Sequence, residues 1–159
     1  KGFREFKRND KNGCKLVVAG KGEGEYYEKI ARFIKSEKIE SDVVFIGFVD
    51  DNELAFIYKK ALALVFPSLL EGFGFPVLEA MNCGLPVITS KYGSLAEVAG
   101  NAGILVDPQN TREISAAMEK IYSNNLLRNE MSKDGIVRAE EFSWQRSAER
   151  FISLFKILQ

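Results

Sequence analysis

The sequence predicts an α/β domain of three layers: a Rossmann-like parallel sheet with helices on both faces. Three observations carry this. Five short apolar bursts recur along the chain, each is followed by a stretch with helical signals, and Gly, Pro or Asp punctuates the joins. Repeated strand–helix units need crossover connections, which make neighbouring strands parallel. Right-handed crossovers then place helices on both faces. With 159 residues, 46% of them hydrophobic, the chain is long enough for one domain over 1–159 with a buried core. No linker or internal repeat divides it.

The elements follow in order. Cys14 to Ala19, ending at Gly20, suits a buried strand. Residues Glu25 to Lys38 place Tyr26, Ile30, Phe33 and Ile34 at helical spacing. Val43 to Ile46, closed by Gly47, is the second strand. Asp50, Asp51, Asn52 and Glu53 open a helix, where acidic groups favour the positive helix end, and Leu54, Ile57 and Tyr58 form its apolar face. Leu62 to Phe66, stopped by Pro67, is the third strand. A helix over Phe75 to Cys83 has Pro76 in its first turn and Gly84 as its stop. Pro86 to Thr89 is the fourth strand, Ser94 to Val98 a short helical turn, and Gly103 to Val106 the fifth strand. Three helices finish the chain, over Thr111 to Tyr122, over Leu126 to Glu141, and after Ser143, the last with Trp144, Ala148, Phe151, Ile152 and Phe155 on one side.

Composition narrows the functions. Lys and Arg number 22, as do Asp and Glu, so bulk charge does not drive nucleic-acid binding. The two cysteines, Cys14 and Cys83, form no disulfide framework and read as packing residues in a reducing, cytoplasmic setting. There is no histidine, so a general base must be another residue type or come from elsewhere, and mixed Cys/His zinc sites are excluded. No signal peptide is visible at Lys1 to Asp10. The longest apolar run, Ala61 to Phe66, falls far below the ~20 residues that span a bilayer. Phe3, Phe6, Phe33, Phe45, Phe56 and Phe66 read as core, Trp144 as an anchor of its helix, and Lys7-Arg8 and Lys59-Lys60 as solvated faces. Asp50 and Asp51, adjacent at a helix start, read as capping residues and not as metal ligands.

In open parallel sheets, ligands bind beyond the carboxyl ends of the strands. The loop Gly20-Lys21-Gly22-Glu23-Gly24-Glu25 has the setting of a dinucleotide fingerprint, yet Glu25 stands where the third glycine belongs. A tight turn lining a pocket is the alternative. The loop from Pro67 to Pro76 is more informative. Its glycines, Gly72 and Gly74, let backbone approach a ligand, and the first amides of the following helix make an anion site. Glu71 and Glu79 flank that turn. Carboxylates suit hydroxyl groups, so the pattern fits a ligand with hydroxyls on either side of a phosphate, as in a nucleotide sugar. Spacing alone leaves open that both are solvated charges.

The segment Glu71-Gly72-Phe73-Gly74-Phe75-Pro76-Val77-Leu78-Glu79-Ala80 resembles the E-x7-E signature of retaining glycosyltransferases with the GT-B fold. This is the large group 1 family, glycosyltransferase family four, which includes sucrose synthase and many lipopolysaccharide mannosyl- and glucosyltransferases. Val65-Phe66-Pro67-Ser68 precedes it as in that family. Ala80 to Ile88 resembles E-A-M-A-x-G-x-P-V-I, Gly93 to Val98 resembles G-G-x-x-E-V, Gly103 to Pro108 resembles G-x-L-V-x-P, and Phe142-Ser143-Trp144 matches the usual start of the last helix. The resemblance spans essentially the whole chain.

The resemblance implies a C-terminal, donor-binding domain. Glu71 would contact the donor sugar near the reacting carbon as the catalytic residue, and Glu79 would hold the ribose hydroxyls. Amides around Gly72, Phe73, Gly74 and Phe75 would bind donor hydroxyls and phosphate, and Val77 and Leu78 would stand near the phosphate and ribose. Gly47, Phe48 and Val49 would border the base, and Gly20 and Lys21 the adjacent loop. No cofactor or metal is implied, because the UDP-, GDP- or ADP-sugar is a substrate. The acceptor, a glycan or lipid-linked group, would be met by a preceding domain, with peripheral contact at the inner face of the membrane. The family's diphosphate-neutralising Arg and Lys lie upstream of the segment matching Gly2-Phe3-Arg4-Glu5-Phe6, and neither can be placed here. The family's first strand and acceptor domain are likewise not found. A fragment of a longer enzyme, inactive alone, is expected. A sugar-nucleotide epimerase of the same fold, a non-catalytic nucleotide-sugar binding module and a dehydrogenase are the competing readings.

Overall fold

The structure, a computed structural model, describes residues 1–10 and 13–157. The elements run α1 (Gly2–Lys7), β1 (Leu16–Ala19), α2 (Glu25–Ser36), β2 (Val43–Gly47), α3 (Asp51–Lys60), β3 (Leu64–Phe66), α4 (Phe75–Asn82), β4 (Val87–Ser90), α5 (Gly93–Ala99), β5 (Ile104–Val106), α6 (Thr111–Ser123), α7 (Asn125–Glu140) and α8 (Trp144–Ile157). Short 3-10 turns occupy Glu40–Asp42 and Gly100–Ala102. Every strand pairing is parallel, as the strand–helix alternation requires.

The strands hydrogen-bond as two ladders and not as the single one expected. In one, β1 lies beside β2; in the other, β4 lies between β3 and β5. Among the described residues no ladder joins β1 to β3. The two ladders differ in cover. Every position of β4 is buried, whereas β1 alternates between half-buried and exposed, with Val17 47% exposed. Only one face of β1 is covered by packing, so it behaves as an outer strand.

The layers can be read from two neighbouring residues of β4. Successive strand side chains point to opposite faces. Val87 joins a cluster with Val77, Ala80 and Met81 of α4 and Leu95, Val98 and Ala99 of α5. Ile88 joins the opposite cluster, with Ile114, Ala117 and Ile121 of α6 and Met131 of α7. One central strand thus feeds two cores, giving an α/β/α arrangement. Burial of each large side chain here contributes roughly 1.5–3 kcal/mol.

On the second face α1 packs against α6. Gly2 is required there, because a Cβ would stand 2.7 Å from Ile114 Cγ2. The Phe6 ring meets Tyr122 edge-on at 5.3 Å. Lys7 is not on a solvated face: its side chain is 13% exposed and pairs with Asp10 and Asp42, and it donates to the Cys14 carbonyl. Asp10 in turn accepts from the Tyr122 hydroxyl at 2.8 Å and the Cys14 amide at 2.7 Å. A near-buried charge is tolerated because its partners are present.

Three aromatic expectations are corrected. On α2 it is Tyr27, not Tyr26, that faces inward: Tyr27 packs edge-on against Phe45 at 5.0 Å while Tyr26 is 78% exposed. The register of the face is set by Ile30 and Ile34, which share the side three residues after Tyr27. Phe56 is exposed on the outer side of α3, beside a surface hollow. Trp144 is 83% exposed and anchors nothing, because α8 contributes no buried residue. Ser143 does cap that helix, its hydroxyl accepting from the Arg146 amide at 3.1 Å. Phe151, Ile152, Leu154, Phe155 and Ile157 of α8 are exposed as well.

Candidate functional site

The Pro67 to Gly74 loop links β3 to α4. Pro67 cannot extend the ladder, so the chain turns out after Phe66. Gly74 is the N-cap of α4, with φ +108° and ψ +42°, a conformation that excludes ordinary side chains. Leu95 of α5 presses on it: a Cβ at Gly74 would lie 2.6 Å from Leu95 Cδ2. Pro76 follows inside the first turn of α4, where its missing N–H costs no bond.

This local arrangement leaves a row of donors. The amides of Val77 and Leu78 are taken by the Gly74 carbonyl, at 3.0 and 3.3 Å. The amides of Gly72, Phe73, Gly74 and Phe75 have no acceptor among the described residues. No side chain caps the helix. Four consecutive N–H groups at the positive end of α4 form a place for an anion or for hydroxyl oxygens.

Two carboxylates flank the row. Glu71 is half-buried, and its carbonyl accepts from the Ser94 hydroxyl at 2.8 Å. Its carboxylate has no hydrogen-bond or ion-pair partner among the described residues. On α4, Phe75, Glu79 and Asn82 share the more open face while Val77, Ala80 and Met81 fill the core. The Glu79 carboxylate is likewise without a hydrogen bond or ion pair there. It lies within electrostatic reach of Tyr58 on α3: burial, reinforced by the charges of Glu79 and Cys83, pushes the Tyr58 hydroxyl up to about 12. Tyr58 therefore stays a neutral phenol beneath α4. Val77 and Leu78 do sit at the helix start, but Val77 is fully buried and Leu78 packs on the core, so neither side chain faces the loop. Phe73 packs inward against Phe75 at 4.8 Å and Phe142 at 6.0 Å, while Phe75 is exposed.

A second group gathers at the ends of β1 and β2. The Gly20 amide donates to the Gly47 carbonyl at 2.7 Å, which joins the two predicted loops. Lys21 is exposed beside them. Phe48 and Val49 line a surface hollow of about 590 Å³ with Ile46, Asn52, Glu53, Phe56 and Ile57. Asp50 is a cap, as expected: its carboxylate accepts from the Asn52 and Glu53 amides at 2.9 Å, and the Glu53 carboxylate accepts from the Asp50 amide in return. The α3 helix spans the two groups, carrying Phe56 and Ile57 at the hollow and Tyr58 against α4.

Sequence reasoning did not single out Ser94, Leu95, Tyr58 or Arg138 for the site. The first two lie in the first turn of α5, directly after the central strand β4. That position was the available signal.

Residues 1–138 match the family model described as glycosyl transferases group 1. The chain belongs to the glycosyl transferases group 1 family. It is 38% identical over 119 residues to the O-antigen chain mannosyltransferase B of Escherichia coli, a stretch covering 75% of this chain and 31% of that protein. The chain thus spans about a third of that relative's length. Among solved structures, sucrose-phosphate synthase from Thermosynechococcus elongatus superposes with a TM-score of 0.85 at 27% identity, covering 99% of this chain and 41% of the other. Anabaena Alr3699/HepE, solved in complex with UDP-glucose, shares the fold with a TM-score of 0.83 at 21% identity, covering 96% and 44%. The group 1 domain therefore has the fold of the GT-B glycosyltransferases. Among the described residues, no cluster of three or more His, Cys, Asp or Glu is placed to hold a metal ion, and no helix is long and apolar enough to cross a membrane.

Proposed function

We propose that this domain binds a nucleoside-diphosphate sugar and, within the intact glycosyltransferase, passes the hexosyl group with retention to a glycan or lipid-linked acceptor. One observation carries the reading: four amides without acceptors, Gly72 to Phe75, stand at the positive end of α4 between Glu71 and Glu79. The similarity to an O-antigen mannosyltransferase and the UDP-glucose complex of a protein with the same fold support it.

The chemistry asks for charge stabilisation. As the bond from the anomeric carbon to the diphosphate breaks, its electrons go to the departing oxygen. The amides meet that charge without reorganising, which is where preorganised donors contribute most. Glu71 positions the sugar and opposes the positive charge that grows on it. The acceptor hydroxyl enters on the face the leaving group vacates, its oxygen bonds the anomeric carbon, and its proton passes to the departing phosphate oxygen. Glu79 takes the ribose hydroxyls, Gly47, Phe48 and Val49 border the base, and Gly20 and Lys21 close the adjacent loop. Val77 and Leu78 act through the helix they build.

The rest of the proposal concerns the whole protein. The acceptor and the remaining diphosphate-neutralising cations come from outside this chain, which is inactive alone. Transfer needs no metal or cofactor and takes place in the cytoplasm, at the inner membrane face when the acceptor is lipid-linked. The test is a binding panel on the intact protein with UDP-, GDP- and ADP-sugars and nicotinamide dinucleotides. One nucleotide sugar binds, its nucleoside diphosphate competes, and chelator leaves transfer unchanged. Binding only to nicotinamide dinucleotides would overturn the reading.

A further inference from the structure

Two successive residues of α5 hold the two ends of the amide row. The Ser94 hydroxyl donates to the Glu71 carbonyl at 2.8 Å, across 23 residues of sequence. Leu95, 1% exposed, lies against Gly74. The far end of α5 is fixed too. Arg138 of α7 donates from Nε to the Val98 carbonyl at 3.1 Å and from Nη2 to the Glu97 carbonyl. The same guanidinium lies 4.8 Å from the centre of the Phe142 ring, which meets Phe73 edge-on. The contacts close a circuit from Glu71 through Ser94, α5, Arg138 and Phe142 back to Phe73 in the loop.

We infer that Ser94 is a positioning residue for the donor site, acting through the peptide that joins Glu71 to Gly72. A peptide unit is planar, so its C=O and N–H point in opposite directions. Holding the Glu71 carbonyl on Ser94 therefore aims the Gly72 N–H away from α5, as one of the four free donors. Without that hold the unit is easy to rotate: Gly72 has no Cβ and nothing within 4 Å of where one would be. A bond to the carbonyl also polarises the peptide and strengthens its N–H as a donor. The same peptide sets the direction in which the Glu71 side chain leaves the backbone. Ser94 stands at the second glycine position of the G-G-x-x-E-V pattern that residues 93–98 resemble. The inference rests on the donor-binding reading given above.

The role predicts a split. Ser94 touches the strand side of the row, whereas Glu79 and the helix start lie on α4, packed on the core. Gly72, the amide beside Glu71 and farthest from α4, meets the sugar hydroxyls, while the amides nearer α4 keep the phosphate, so Ser94→Ala in the intact glycosyltransferase lowers kcat about tenfold, the worth of one hydrogen bond, and changes nucleoside diphosphate affinity less than about twofold. Ser94→Thr, which keeps a hydroxyl, restores most of kcat. Urea midpoints of the three proteins show whether a variant is merely unstable. Equal losses in kcat and affinity, failure of Thr to rescue in a protein as stable as wild type, or wild-type kcat in Ser94→Ala each overturn the inference while leaving donor binding intact. Absence of donor binding by the wild-type protein instead removes the donor-binding reading, and this inference with it.

Discussion

Gly74→Ala is the substitution whose cost can be worked most fully. At φ +108° the residue lies beyond the small left-handed region open to L-residues. Forcing a side chain there costs about 1–3 kcal/mol in backbone strain. The new Cβ would also stand 2.6 Å from Leu95 Cδ2. Leu95 is 1% exposed and must move within a filled core, an overpacking cost of about 1–3 kcal/mol. Together these give about 2–6 kcal/mol, a large part of a domain's stability. Gly93→Ala is the control: its φ is +61° and nothing lies within 4 Å of a Cβ, so only the left-handed cost of about 1–2 kcal/mol applies. Leu95→Ala opens space for the methyl introduced at position 74. The double variant should therefore be more stable than the sum of the single losses by about 1 kcal/mol or more. Urea unfolding of the four variants measures all of this. A Gly74→Ala loss no greater than that of Gly93→Ala, or strict additivity in the double variant, would refute the packing of α5 on the loop.

Three further outcomes follow from the same geometry. Glu79→Ala in the intact glycosyltransferase weakens nucleotide binding by about 1–3 kcal/mol, the range for hydrogen bonds to charged groups; unchanged affinity for UDP, GDP and ADP alike in titration calorimetry removes the ribose role. Glu71→Ala cuts turnover while barely altering nucleoside diphosphate affinity, and equal loss in both places Glu71 at the nucleotide end instead. The third concerns pH. The hydrogen bond from Lys7, against the effect of burial and with help from Lys15, holds the Asp42 carboxyl below its ordinary value of 3.8. A carboxyl lowered on folding stabilises fully above its unfolded pKa and loses that contribution as pH falls through the folded one. The stability gap between wild type and Asp42→Asn should therefore hold steady above about pH 5 and narrow as pH falls below that, and a constant gap in urea unfolding from about pH 5 down to about pH 2 would contradict the pairing.

Much of this was legible in the residues because the signals were local. The Pro86 to Thr89 run is uninterrupted by charge, and the strand it forms is buried throughout. Asp50 and Glu53 sit at capping-box spacing, and they cap. Gly74 and Pro76 announced a helix start with open amides. Which amides stay open was not legible, since it depends on Gly74 taking the N–H groups of Val77 and Leu78. Tyr26 and Tyr27 are adjacent, so helical spacing admits either; the choice is made by Phe45, from a distant strand. Phe56 and Trp144 look like core in any window, but burial needs a partner surface, and a sequence does not state which apolar side chains find one. The separate ladders are a non-local property of the same kind. Ser94 was visible as the start of a short helical turn, yet its bond to Glu71 joins parts of the chain that only the crossover brings together.

A crystal structure of the intact glycosyltransferase with its sugar nucleotide bound is the most direct test. The account predicts oxygen atoms of the ligand within hydrogen-bond distance of the main-chain nitrogens at Gly72 to Phe75, the sugar beside Glu71 and the ribose at Glu79. A ligand seated elsewhere, such as in the polar hollow lined by Asp107, Gln109 and Asn110, with those nitrogens left to solvent, would contradict it.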